Sequence, residues 1–230
     1  MSNYLSEWWM IISRPILFFS RLKEENWRGQ SLTFLLITAW LLAFFMSIAV
    51  FILQYIPIGA TLVEGIAGWK FVTILPVLLA LAIIFFLITL LIMGGLLVGL
   101  FFTGFFLIGY CLHYLAALWG GKGNLNRIIQ SSFYSSAAVQ ALLFGLFLAL
   151  TVKAGWLTFP LFKVGFNFLI VLIVIFSYGL WAIMVRKVYG LPKWQSFIVA
   201  IVPSLLLLIL LFIFDKIALQ KVEAWITPLK

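Results

Sequence analysis

From Phe71 to Trp119 the chain runs for 49 residues without one Asp, Glu, Lys or Arg. A soluble fold cannot bury such a stretch, and a bilayer core of about 30 Å needs only about 20 apolar residues to be crossed. A single straight helix of this length would measure about 73 Å at about 1.5 Å per residue, more than twice the hydrocarbon thickness. The run therefore has to break, fold back, tilt or continue into its neighbour. Glycine commits least to helix, so Gly94-Gly95 is the predicted break, dividing the run into Phe71 to Met93 and Leu96 to Trp119.

The rest of the chain repeats the message. Hydrophobic residues make up 66% of it and charged residues 9%, a balance that places it among integral membrane proteins and leaves no room for a sizeable soluble domain. Ser31 to Tyr55, Ile128 to Val152, Val164 to Val185 and Gln195 to Phe214 are each long enough to cross and each bounded by charge. The expected fold is all-α, a polytopic helical bundle with five crossings plus the extra apolar helix 71–93, six crossings being the alternative. Glu7, Glu24 and Glu25 precede the first long run, which reads as a retained anchor and not a cleaved signal.

Charge arbitrates between the two counts. With five crossings, Arg14, Arg21, Lys23, Arg28, Lys122, Arg127, Arg186, Lys187 and Lys193 share one side, against Lys70, Lys153 and Lys163 on the other. With six, the two sides carry six cations each. Because cytoplasmic loops collect Lys and Arg, the five-crossing arrangement with a cytoplasmic N-terminus is preferred. Lys216, Lys221 and Lys230 are left out of both counts, since including them removes the difference.

Three regions follow. Residues 1–30 form an N-terminal segment whose Trp8, Trp9, Phe18 and Phe19, mixed with Arg14, Arg21, Lys23 and Arg28, suit an amphipathic helix at headgroup level, broken near Pro15. Residues 31–214 form the transmembrane domain. Residues 215–230 alternate apolar and charged side chains at helical spacing and suit a short amphipathic tail. The net charge of +9 is scattered singly among the spans, which fits headgroups and topology and gives no stripe for nucleic acid.

Chemistry is sparse. Gly120, Gly121, Lys122 and Gly123 look like a phosphate loop, but no Ser or Thr follows the lysine and a helix, not a strand, precedes it. Glycines with Asn124 and Asn126 instead end one helix and cap another. The single histidine, His113, lies about two turns before that end, with Tyr110 and Tyr114 its polar neighbours in sequence. A metal site would need further His, Cys or carboxylate groups, and all six acids sit at segment margins or in loops. No cofactor or metal is expected. His113 reads first as a packed residue bonding across helices, and second as a pH-sensitive, ligand-binding or catalytic group.

The densest polar cluster within a span is Gln130 to Ala141, where Ser131 pairs with Ser135, Ser132 with Ser136, and Ala137 with Ala141 on shared helical faces. Small faces let helices approach closely, so this helix is the candidate bundle centre, with Ser131, Tyr134, Ser135 and Gln140 as polar core residues. A serine nucleophile would need a base and an acid, and no acid lies at depth. Gln54, Asn167 and Tyr178 are the other polar residues of the spans, and either line a small cavity or bond between helices. Gly95 and Gly99 repeat the small-residue spacing, a dimer or bundle contact. Lys122, Arg127, Arg186, Lys187 and Lys193 form a candidate cytoplasmic surface; the last three flank Tyr189 in "RKVYGLPKW". Expected partners are the bilayer, anionic headgroups, a second copy or other membrane proteins.

The stretches "ISRPILFF", "LHYLAALWGGKGNLNRIIQSSFYSSA" and "LWAIMVRKVYGLPKWQSFIVAIVP" give the chain a resemblance to the bacterial branch of the Yip family, Ypt-interacting, Rab-associated membrane proteins. The resemblance covers Arg14 to Phe214. It implies five crossings, a cytoplasmic N-terminus and no catalytic residues. Eukaryotic relatives bind small prenylated GTPases in vesicle trafficking; with a short N-terminal segment and the uncharged 71–93 insert as departures, that role is not carried over. The resemblance therefore implies a non-enzymatic scaffold or membrane-organising protein, with a transporter or channel subunit as the alternative.

Overall fold

The computed structural model describes residues 4–227 apart from 65 and 67, so Lys230 lies outside the described residues. Its elements are all helical: α1 Tyr4–Ser13, α2 Pro15–Arg21, α3 Gln30–Val50, α4 Ile56–Val63, α5 Trp69–Leu118, α6 Leu125–Ser135, α7 Leu142–Lys153, α8 Phe159–Tyr189, α9 Lys193–Ile217 and α10 Leu219–Ile226. A π-helical turn, Phe51–Tyr55, joins α3 to α4, and a 3-10 segment, Ser136–Ala141, joins α6 to α7. Five helical stretches are long and apolar enough to cross a membrane: 30–61, 69–118, 125–153, 159–189 and 193–217.

The predicted break at Gly94-Gly95 does not occur. α5 is one helix of 50 residues, about 75 Å long, so 71–93 continues into 96–119 instead of forming a separate crossing. Gly94 has a different task. A Cβ there would fall 2.4 Å from the Trp40 ring, so the missing side chain lets α3 close onto α5. Helix propensity argues for a break, but it amounts to only about 1 kcal/mol per glycine and the α3 contact overrides it. Gly95 and Gly99 face open space, so they are not a contact inside this bundle.

The connector after the first span is also more helical than its glycines suggest. Pro57 cannot donate a backbone hydrogen bond to the preceding turn, and the π turn immediately before it accommodates the loss, so the helix runs on to Val63. α3 and α5 thus pack as a long antiparallel hairpin, and α4 extends α3 past the π turn. Ala49 and Leu53 pack with Val152, Phe162, Leu219 and Ile226, which marks the far end of the other spans. Beyond that level the hairpin continues with Ile56, Ile58, Val72 and Leu75 exposed.

Inside the bundle, Trp181, Phe34, Phe133, Leu112 and Met184 are sealed from solvent. α1 and α2 are part of this core, not a separate layer. Ile11, Phe18 and Phe19 are buried, while Leu5, Trp9 and Ile16 stay exposed on the opposite face. α1 ends at Ser13 and Pro15 starts α2, a position where its fixed φ and missing N–H cost nothing. At the other end of the chain α10 folds back, with Leu219 and Ile226 buried in the far-end cluster.

Candidate functional site

Two loops meet at one end of the bundle. α5 ends where Gly120 takes a left-handed φ of 77° and the Gly121 N–H bonds to the Ala116 carbonyl at 3.0 Å. Asn124 then caps α6, its side chain accepting the Asn126 N–H at 2.9 Å. α8 ends at Gly190, also left-handed with φ 68°, and Pro192 leads into α9. The two turns are held together by Tyr189. Its ring lies against the Gly121–Gly123 backbone so closely that a Cβ on Gly123 would sit 2.4 Å from it. Its hydroxyl is 2.6 Å from His113 Nδ1, and the Trp119 and Trp194 rings pack edge to face at 5.2 Å.

A third strand of chain joins this end. Residues 23–27 are stitched to the start of α6: Asn126 Nδ2 donates to the Glu25 carbonyl at 2.7 Å and Gln130 Nε2 to the Lys23 carbonyl at 3.0 Å. Asn124 Nδ2 bonds the Glu24 carboxylate, and the Trp27 N–H donates to Asn126 Oδ1 at 3.2 Å. Lys122, Arg186, Lys187 and Lys193 are exposed on the loops so assembled, and Arg127 is half-buried on α6. Lys153, Lys163 and Asp215 lie at the opposite end, where Lys163 Nζ and Asn167 Nδ2 approach Asp215 Oδ1 at 3.7 and 3.1 Å.

These are the stretches on which the family resemblance rests, and the comparison with known proteins agrees: a family model described as Yip1 domain matches residues 9–214. The chain belongs to the Yip1 family. No curated protein and no solved structure matches.

Within the Yip1 domain the polar helix α6 is central. Its serines are occupied with structure. Ser131 Oγ donates to the Arg127 carbonyl at 2.9 Å, within its own helix. Ser132 Oγ reaches across to the Phe105 carbonyl of α5 at 2.8 Å. Ser135 Oγ donates to the Ser132 carbonyl at 2.6 Å and accepts the Trp181 indole N–H at 3.1 Å. Tyr134 stands between Phe18 and Phe34, each ring centroid 5.1 Å away. Hydroxyls that bond carbonyls three residues back compete with the helical ladder, and the small Ser and Ala side chains that follow tolerate the tighter 3-10 turn.

His113 and the serines are thus served by different partners: the imidazole by Tyr189, and Ser131, Ser132 and Ser135 by backbone and indole, while the buried Ser136 Oγ is left without a partner. Among the described residues no three His, Cys, Asp or Glu groups converge to hold a metal. Asn167 and Gln140 also part company, the first bonding Asp215 and the second bonding Tyr4 and Thr38. Tyr178 packs on Phe197 at 5.5 Å.

Tyr189, Trp181 and Tyr4 were not singled out as site residues from the sequence. Tyr189 carried a signal, being the aromatic inside the basic loop. Trp8 read as an interfacial anchor, whereas its indole N–H bonds the Ala137 carbonyl at 3.2 Å on the 3-10 segment. Tyr4 Oη lies 3.0 Å from Thr38 Oγ1; burial raises its phenol above the ordinary range, the hydrogen bonds to Thr38 and Gln140 offsetting part of that. It stays a neutral donor.

Proposed function

We propose that this Yip1-family protein is a non-enzymatic, membrane-organising scaffold whose N-terminus and basic loops face the cytoplasm. The observation that carries the reading is the Tyr189 clamp. One ring, fixed by His113, joins the Gly-Lys-Gly turn to the Arg186–Lys193 turn, so Lys122, Arg186, Lys187 and Lys193 belong to one ordered surface. An ordered cationic surface at a bilayer favours anionic headgroups or an acidic partner protein. The distribution of cations supports the cytoplasmic assignment. Self-association is part of the reading: Gly95 and Gly99 present an open small-residue face where another helix can approach.

Asp215, the one carboxylate within the described spans, sits in the last turn of α9 and is engaged by Lys163 and Asn167, which argues against carboxylate-coupled transport. The test combines two measurements on the purified full chain. In native-lipid discs, tagged protein is expected to retain partners or anionic lipid that a Lys122→Ser, Arg186→Ser, Lys187→Ser variant loses. In liposomes, no solute uptake is expected. Robust uptake abolished by His113→Ala or Gln140→Leu would replace the scaffold with the transporter.

A further inference from the structure

Gln140 leaves one polar atom at bilayer depth half-used. Its Nε2 donates to the Thr38 carbonyl at 3.1 Å and to Tyr4 Oη at 3.4 Å. A backbone carbonyl can only accept, so the amide orientation is fixed and Oε1 is the free end. No described N–H or O–H donates to Oε1, although the residue is only 8% exposed, and the atom is not sealed in the protein.

Two grooves meet at this glutamine. The larger, ≈ 700 Å³, lies among α1, α3 and α7 and is walled by Leu41, Phe45, Leu143 and Phe147. The smaller, ≈ 320 Å³, lies among α1, α7 and α8 and is walled by Leu169, Ile173 and Phe176. Trp8, Gln140 and Phe144 line both, with Phe144 as the ridge between them. Both volumes fall in the range of about 300–1,000 Å³ typical of small-molecule sites.

The occupant is constrained by what the walls lack. No charged side chain lines either groove. Gln140 bonds Thr38, two turns inside α3, where an unpaired phosphate would carry a desolvation cost that nothing here offsets. The remaining specification is an uncharged molecule with two hydrocarbon chains joined at a point that carries one hydrogen-bond donor. We propose that the paired grooves bind a diacylglycerol, its hydroxyl donating to Gln140 Oε1 and its chains lying on either side of Phe144. A triacylglycerol lacks the donor, and a phospholipid brings the charge. α1 forms the wall shared by both grooves through Trp8, which anchors it to the Ala137 carbonyl.

The experiment is native mass spectrometry of the detergent-solubilised full chain, titrated with 1,2-dioleoylglycerol, its 3-acetyl analogue and dioleoyl phosphatidylglycerol. One dioleoylglycerol per chain is expected, bound about 5-fold more tightly than the acetyl analogue, the value of one hydrogen bond. Gln140→Leu is expected to abolish that preference. Because Gln140 also ties α1 to α3, Leu143→Trp supplies a second arm: it fills the larger groove, leaves the hydrogen bonds in place, and is expected to lower dioleoylglycerol binding at least about 10-fold without lowering the melting temperature. Equal binding of the acetyl analogue to the unaltered protein, equal binding of phosphatidylglycerol by the Lys122→Ser, Arg186→Ser, Lys187→Ser variant, whose basic loops no longer hold anionic lipid, or undiminished dioleoylglycerol binding by Leu143→Trp would each overturn the proposal.

Discussion

Replacing Gly123 with alanine tests the Tyr189 clamp directly. The added Cβ would lie 2.4, 2.5 and 2.7 Å from Tyr189 Cδ1, Cε1 and Cγ. Carbon atoms pack at about 3.5–4.0 Å, so the ring and the turn must separate by roughly 1 Å. The ring cannot swing freely, since its hydroxyl is held 2.6 Å from His113 and its residue is buried. Overpacking of this kind costs about 1–3 kcal/mol. Gly120→Ala is the control: it too destabilises, by about 1–2 kcal/mol, but through its left-handed φ of 77°, with open space where the Cβ would go. The assay is reversible unfolding in bicelles for a double-mutant cycle with Tyr189→Ala. Gly123→Ala is expected to lose most of its cost once the ring is gone, a coupling of about 1–3 kcal/mol, whereas Gly120→Ala adds independently. If Gly123→Ala proves additive with Tyr189→Ala, the clamp is not what requires glycine there.

Gly95→Ala is expected to raise stability by about 1 kcal/mol, the helix-propensity gain at an open position of α5, while Gly94→Ala does not share the gain because its Cβ meets Trp40; a melting-temperature comparison of the two checks this, and equal shifts would contradict the α3–α5 packing. Ser132→Ala removes the bond to the Phe105 carbonyl and is expected to cost about 0.6 kcal/mol, at most about 1.7, the measured scale of such bonds in membranes. The same unfolding assay reads it, and a loss above about 3 kcal/mol would show that Ser132 does more than join α5 to α6.

The crossing segments were legible because lipid is the solvent. A side chain facing lipid and one facing a neighbouring helix are both apolar, so long uncharged runs announce spans regardless of their partners. The same fact hides the packing. Gly94 looks identical to Gly95 in sequence, yet only one meets an indole; that depends on α3, some fifty residues away, coming back antiparallel. The π turn before Pro57 had only a local signal, a proline inside an apolar run.

The candidate site divides along the same line. Gln130 to Ala141 stood out as a polar helix, and α6 does pack at the centre, because hydroxyl groups within lipid seek carbonyls and indoles on adjacent helices. His113 was visible as the lone imidazole, but its partner was not, since Tyr189 is 76 residues downstream.

Composition and run length announced a bundle of membrane helices, glycines and asparagines marked the turn at Gly120–Gly123, and the count of cations favoured placing the basic loops on one side. Tertiary structure decided that α5 stays whole, that residues 4–21 join the core, and that Tyr189 and Gln140 become meeting points. The physical reason is range: transfer into lipid is a sum over each segment's own side chains, whereas a hydrogen bond or a ring against glycine exists only once distant segments stand within a few ångströms.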